Sequence, residues 1–377
     1  MSIQVEVLTS IEKLDILRDN WAALLTSRDQ ATPFETLEWT KANLLSFPGQ
    51  GMRVLVFRDG PEAVGILPLA LRSKRKYLRR RTWLEFAGLP FADYGALLVK
   101  PGCEAQVAEA FVEYMNSERA FAVAYLDGLR GNDLFSNHLI TAAERQGIVA
   151  TLVRTPEIRR LQRPLRVDNI SIALESSKSL GKARKRLSEL GEISFDVRTS
   201  EDEIQNRLDE YFQMHIDRCA AKGTTSPLAH PEQQKLFRNV VRYCAPAGMV
   251  WFSTLSCAGR PVASRFSLRY GDALHLYSTC FAPEFARYSP SMLQLENLLQ
   301  YAFTNGIRVV DFGMGDSPQK EKAGATAEQQ MARVELYGSK AAYWESRLFL
   351  GAREKAAKSG WLDKRASTLR RLLPHES

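Results

Sequence analysis

One pattern occurs twice in this chain, and it constrains the fold more than anything else. RVLVFRDGPEAVGILPLAL (53–71) and MVWFSTLSCAGRPVASRFSL (249–268) each read as two strands joined across a Gly/Pro turn. In both halves further strands follow, then a helix, then a strand carrying Asp, in AYLDG and VVDFG. From the first helical residue to that Asp is 23 residues in one half (104 to 127) and 20 in the other (291 to 311). Identity between the halves is very low, so the order of elements carries the reading: a duplicated mixed α/β domain.

The remaining elements fit that frame. IQVEVL (3–8) alternates like a strand. Ile11, Leu14, Leu17, Trp21 and Leu24 recur at helical spacing over 11–25, behind Thr9 and Ser10 as caps. Helices are expected at 35–46, 104–116 and 132–146, then at 178–190, 202–221, 231–244, 291–304 and from 340. Strands are expected at ALHLYSTCF, IRVVDFG and ARVELYG. Residues 155–175, with Pro156 and Pro164, read as a linker. The expected division is 1–165, 166–350 and a basic tail at 351–377.

Composition excludes several classes. No run approaches about 18 uninterrupted apolar residues, so no membrane span is expected. MSIQVEVLTSIEKLDIL lacks a basic, then apolar, leader. Five cysteines without a CxxC pair argue against a disulfide framework or a structural zinc site. A cytoplasmic location follows, with no metal. The net charge of +8 favours anionic ligands without choosing among them. RSKRKYLRRR (72–81) reads as a solvated, charged edge strand at the end of a hairpin. A contact to an anionic polysaccharide, lipid carrier or membrane face also fits it.

GxxxxGK[ST], HExxH and GxSxG are absent, and DFGMGDSP is no dinucleotide fingerprint because Pro318 stands where a third Gly would fall. The informative segment is 274–316. A strand runs into Ser289-Pro290-Ser291, which opens a helix, with Ser289 suited to the cap and Pro290 to the first turn. Free amides, the helix dipole and Arg287 suit a pyrophosphate; a capped helix facing water fits equally.

FAPEFARYSPS (281–291), GIRVVDFGMGD (306–316) and Lys320 resemble a pattern of the GNAT-type acyltransferases of the cellulose-biosynthesis (CelD/BcsL-like) family, relatives of the FemABX peptidyltransferases. That pattern is F-x-P-E-x-A-R-x-S-P-G, a helix, then G-x-x-x-x-D-F-G-x-G-D-x-x-x-K. His215, Arg218 and Cys219 before Lys222-Gly223 match its upstream helix. In the first half, Trp21-Leu24, VGILPLAL and the run through Asp93 and Tyr94 match as well. Ser291 replaces the usual Gly, and Cys219 the usual Trp.

The resemblance implies two tandem GNAT-like domains, with acetyl-CoA or another acyl-CoA as co-substrate in the second. Its pyrophosphate would lie on Phe285, Arg287, Tyr288, Ser289 and Ser291, and a backbone amide near Tyr277–Cys280 would face the thioester carbonyl. Candidates for the base are His215, Asp311 and Asp316; Arg218 and Lys320 would meet the acceptor. That acceptor would be a sugar or sugar-lipid intermediate of exopolysaccharide assembly. An aminoacyl-tRNA-dependent transferase and a degenerate, nucleotide-sensing GNAT are the alternatives. No DNA contact is expected. In the tail, Leu362, Leu369, Leu372 and Leu373 alternate with Arg365, Arg370 and Arg371, which suits an anionic membrane face or a cyclic dinucleotide, or docking on the chain's own body.

Overall fold

A computed structural model describes residues 3–49, 51–76, 79–118, 121–131, 133–162, 178–315 and 317–348. In the first half, β1 (Gln4–Leu8), β2 (Gly51–Asp59), β3 (Glu62–Lys76) and β4 (Arg79–Phe86) form an antiparallel meander. The short β5 (Leu98–Val99) pairs with β3. β6 (Val123–Arg130) then joins β4 in parallel. The second half repeats this order. β8 (Ile193–Arg198), β9 (Val250–Cys257), β10 (Arg260–Tyr270) and β11 (Ala273–Phe281) are antiparallel, and β12 (Val309–Met314) joins β11 in parallel.

The halves exchange their last strands. β7 (Val149–Gln162) leaves the first half and pairs with β12; β13 (Thr326–Tyr337) leaves the second and pairs with β6. β7 and β13 pair with each other, so one mixed sheet runs β1-β2-β3-β4-β6-β13-β7-β12-β11-β10-β9-β8. A cut at 165/166 thus leaves each half without its own closing strand.

Three expectations change here. Residues 155–162 are not linker but the end of β7, while 163–177 lie outside the described residues. Pro156 is tolerated in a central strand because it sits at a bulge, between the pairs Thr155↔Met331 and Ile158↔Gln329, where no ladder amide is required. The basic run is not an edge strand. β3 and β4 lie inside the sheet, and their hairpin overhangs both neighbours, since pairing with β2 ends at Leu71 and with β6 begins at Trp83. Asp127 and Asp311 are not equivalent either. Aligning the parallel pairs Trp83↔Val123 and Ala273↔Val309 puts Tyr125, not Asp127, in the place of Asp311.

Helices cover both faces. In front lie α1 (Arg18–Thr26) and α2 (Leu37–Ser46) of the first half, and α6 (Glu201–Ala221) and α7 (Pro231–Cys244) of the second. α7 begins with Pro231 and buries Leu236, Phe237, Val240, Val241 and Cys244 along one stripe. Behind lie α3 (Glu104–Ser117), α4 (Leu134–Arg145), α5 (Lys178–Ser188) and α8 (Pro290–Thr304). α8 buries Leu293, Leu295, Leu298, Leu299, Ala302 and Phe303 against the back of the second half, so its start is held rigidly.

Candidate active site

The parallel pair β11/β12 lasts only three residues, Ala273–His275 against Val309–Asp311. Beyond it β11 continues with β10 while β12 turns toward β7, and the two strands part. The β10–β11 ladder passes from Ser267↔Leu276 to Phe266↔Ser278, which leaves Tyr277 as a bulge at the point of parting. A bulge frees backbone amides from the ladder, as a carbonyl-polarising site requires. The Tyr277 ring packs on Trp39 at 5.6 Å and Phe237 at 5.6 Å, and burial pushes its hydroxyl pKa up. Cys280 is fully buried and its thiol pKa is raised by burial, so it is no nucleophile.

β11 ends in a tight turn, Pro283–Tyr288, and then α8. Ser289 does not cap α8 with its side chain. It takes the left-handed conformation, φ 52° and ψ 46°, whereas a capping side chain needs an extended backbone. Its carbonyl instead accepts from the Met292 and Leu293 amides at 3.0 and 3.1 Å. Ser291 is 8% exposed, and its buried hydroxyl has no hydrogen-bond partner among the described residues. Arg287 donates to the Tyr288 hydroxyl at 2.6 Å and stacks on its ring, and Arg186 of α5 reaches over the same ring. Phe285 is buried beneath Arg260. Arg265, on β10, donates to Gln294 of α8 at 2.9 Å. Among the described residues no carboxylate pairs with this buried guanidinium, whose pKa burial lowers to about 10. A cation in this position lacks a counter-charge. The start of α8 therefore gathers an uncapped helix end, an orphan hydroxyl and several guanidiniums, a donor set that fits phosphate.

The loop after β4 inserts into this site from the first half. Tyr94 donates to Asp311 at 2.6 Å, Arg160 of β7 donates to Asp311 at 3.0 Å and to the Tyr94 hydroxyl at 2.8 Å, and the Gly313 amide donates to Asp311 at 2.8 Å. Asp311 is 1% exposed. With its oxygens committed to these donors, it ties β12 to β7 and the loop.

Its neighbour Asp93 differs. Asp93 packs against Gly313 so closely that a Cβ there would lie 2.3 Å from its Oδ2, and Gly313 itself has φ +71°. Burial, then the charge of Asp311, push the Asp93 carboxyl from 3.8 up to about 6, opposed by Lys320 and the Met314 amide. Lys320 donates to the carbonyls of Gly313, Met314 and Gly315 at 3.0, 2.8 and 2.9 Å, clasping the loop after β12.

The other expected residues lie on α6. His215 Nδ1 is 2.8 Å from the Ser226 hydroxyl, and burial followed by Arg218 lowers its pKa. Arg218 donates to the Thr279 carbonyl of β11 at 2.8 Å and stacks on Phe281 at 4.8 Å. His215 shares no contact with Asp311, so the two do not form a pair. Asp316 and the tail lie outside the described residues. Asp93 and Arg265 stand here without having been singled out by their chemistry. Arg265 had a signal, a charge inside an otherwise apolar strand; the place of Asp93 depends on a contact between halves.

With this geometry in place, comparison with known proteins is decisive for one segment. Residues 175–321 match the acetyltransferase (GNAT) domain model. The fold as a whole is GNAT-like. FemX superimposes with a TM-score of 0.58 at 9% identity, over 89% of this chain and 97% of that one. The C-terminal domain of a putative lysylphosphatidylglycerol synthetase from Agrobacterium fabrum gives 0.54 at 12% identity, over 90% and 95%. A tandem GNAT protein from the clavulanic acid biosynthesis pathway gives 0.50 at 11%, over 90% and 99%. No curated protein sequence matches the chain. Among the described residues no helix is long and apolar enough to cross a membrane, and no His/Cys/Asp/Glu group is arranged to hold a metal ion.

Proposed function

We propose that this protein transfers an acyl group from acyl-CoA directly to an amine or hydroxyl. The observation that carries the reading is the coincidence, inside the matched segment, of parted strands, the Tyr277 bulge and the phosphate-fitting start of α8. Arg287, Arg186 and the Ser291 hydroxyl would hold the phosphates. A backbone amide at the bulge would polarise the thioester carbonyl. The acceptor's proton would go to Asp93, whose raised pKa suits a base near neutrality. The acceptor nitrogen or oxygen then bonds to the carbonyl carbon as the carbon–sulfur bond breaks. Lys320 and Asp311 act by positioning the β12 end. Much of the rate would come from holding two substrates together.

A sugar or sugar-lipid intermediate of exopolysaccharide assembly is the acceptor class that the resemblance supports. The tail's proposed contact with an anionic membrane face or a cyclic dinucleotide rests on its composition. The likeness to FemX keeps aminoacyl-tRNA as a rival donor, and the basic face of α5 beside the Pro283–Tyr288 turn suits an RNA phosphate too. Calorimetric titration with acetyl-CoA tests the choice. Saturable binding that Arg287→Glu weakens is expected; absence of binding, with aminoacyl-tRNA accepted instead, would overturn the reading.

A further inference from the structure

A cavity of about 380 Å³ opens on the front face at the paired end of β11/β12, between residues 25–32 of the first half and the β10–β11 turn of the second. His275 lines it. This residue is 4% exposed, and among the described residues neither ring nitrogen has a hydrogen-bond partner. Asp311 Oδ2 lies 3.7 Å from Nδ1, too far for a hydrogen bond. Two orphan nitrogens in one buried ring need a partner. Phe34 and Tyr94 pack on it in T-shaped arrangements, at 5.7 and 6.0 Å.

The opposite wall is held in an unfavourable backbone state. Gln30 has φ +56°, a left-handed value that is strained outside glycine. Arg130 donates to its carbonyl at 2.7 Å and Arg160 to its Oε1 at 2.7 Å. Arg160 and Arg28 both line the cavity, with Leu25 and Ala31 supplying an apolar side. Asp272 and Asp311 also line it. Asp311 is already met by Tyr94, Arg160 and Gly313, and the Asp272 side chain is 60% exposed to water. Arg28 Nε pairs with buried Glu35 at 3.2 Å and each Arg160 nitrogen already donates once, so the donors left for a ligand are the remaining terminal N–H groups of the two guanidiniums and the His275 ring, with room for a short alkyl group.

We propose that this cavity is a second ligand site, which binds a small monocarboxylic acid through His275 and the Arg28 and Arg160 guanidiniums. The alkyl part lies against Leu25 and Ala31. Bound there, the acid bridges the two halves upstream of the point where β11 and β12 part. This site does not depend on the identity of the acyl donor.

The test titrates acetate, propionate and butyrate into the full chain and follows the His275 ring nitrogens by 15N-edited NMR, with melting temperature in parallel. Saturable His275 shifts are expected below roughly 50 mM, together with a rise in melting temperature. Ala31→Trp, which fills the cavity from the loop side, should weaken binding at least about tenfold. His275→Phe should abolish the thermal response. Should that variant not fold, Ala31→Trp alone decides. No His275 shift with any of the three acids, or an undiminished response in Ala31→Trp, would falsify the site. An equal response to inorganic phosphate would overturn the carboxylate assignment.

Discussion

The two halves place the same parting strands in the same sheet and do opposite things with them. In each, a parallel pair holds for three residues and then opens. In the second half β11 leads through left-handed Ser289 into an uncapped, arginine-flanked helix. In the first half the loop after β4 lines the opening and leaves a cavity of about 300 Å³ among Glu85, Leu89, Ala92, Tyr125, Asp127 and Met314. The Gly95 amide donates to the Gly128 carbonyl of β6 at 2.9 Å, and Gly95 packs on Phe86. α3, the counterpart of α8, carries Glu104 in its first turn, and that carboxylate accepts from the Gly102 amide at 2.9 Å, where an anionic ligand would otherwise sit. The row across the sheet differs as well: Glu85, Tyr125 and Glu335 in the first half against His275, Asp311 and Arg160 in the second. Duplication supplied two openings, and the first half sends Asp93 and Tyr94 across to the second one.

The largest effect should come from cutting that contribution. Asp93→Asn is expected to slow transfer by about 10²–10⁴-fold with acyl-CoA binding nearly intact, and to remove a rise in rate with pH centred near 6. A carboxyl raised from 3.8 stabilises the fold below its unfolded pKa, and this contribution is lost as pH rises through about 6. The Asn variant should therefore be more stable than the parent above that pH, by about 1–2 kcal/mol in urea melts. Loss of rate together with loss of stability would mean that Asp93 is structural.

Next comes the first half's opening. In Gly95→Ala a Cβ would lie 2.4 Å from the Phe86 ring and 2.8 Å from the Asp127 carbonyl, so the variant should lose about 1–3 kcal/mol of stability. An unchanged midpoint would show that the first half's opening is less filled than its contacts imply.

Arg287→Glu should weaken acyl-CoA binding by about 1–3 kcal/mol, as for a lost charge-assisted phosphate contact. The mirror experiment, Glu104→Arg in the first half, should create no second binding event in calorimetry, because Glu85 and Asp127 line that opening with carboxylates. Two equivalents of acyl-CoA would break the contrast between the halves.

The smallest effect is expected at His215. Its Nδ1 faces Ser226, and nothing joins it to Asp311, so His215→Ala should slow turnover less than about tenfold. A loss near 10³-fold would move the base from the inserted loop to α6.

Sequence alone determined the order of elements and the class of fold. Alternating and helical periodicity depends on neighbours a few residues apart, so α7, α8 and the strands of both hairpins were legible, as was the turn that opens α8. It also brought Tyr277, Arg287 and Ser291 into view, because these follow one another along a single continuous segment. Tertiary structure decided whatever depends on pairing across distance. A strand such as Val149–Gln162, charged and interrupted by Pro156, does not look like the centre of a sheet. It becomes one because Arg160 finds Asp311 and because the bulge spares the proline a hydrogen bond. The exchange of β7 and β13, the two-residue offset between Asp127 and Asp311, and the meeting of Asp93 with Gly313 have the same origin. A carboxylate's basicity is set by burial and by the charges and donors that reach it, and for Asp93 these are Asp311, Lys320 and the Met314 amide, all of the other half.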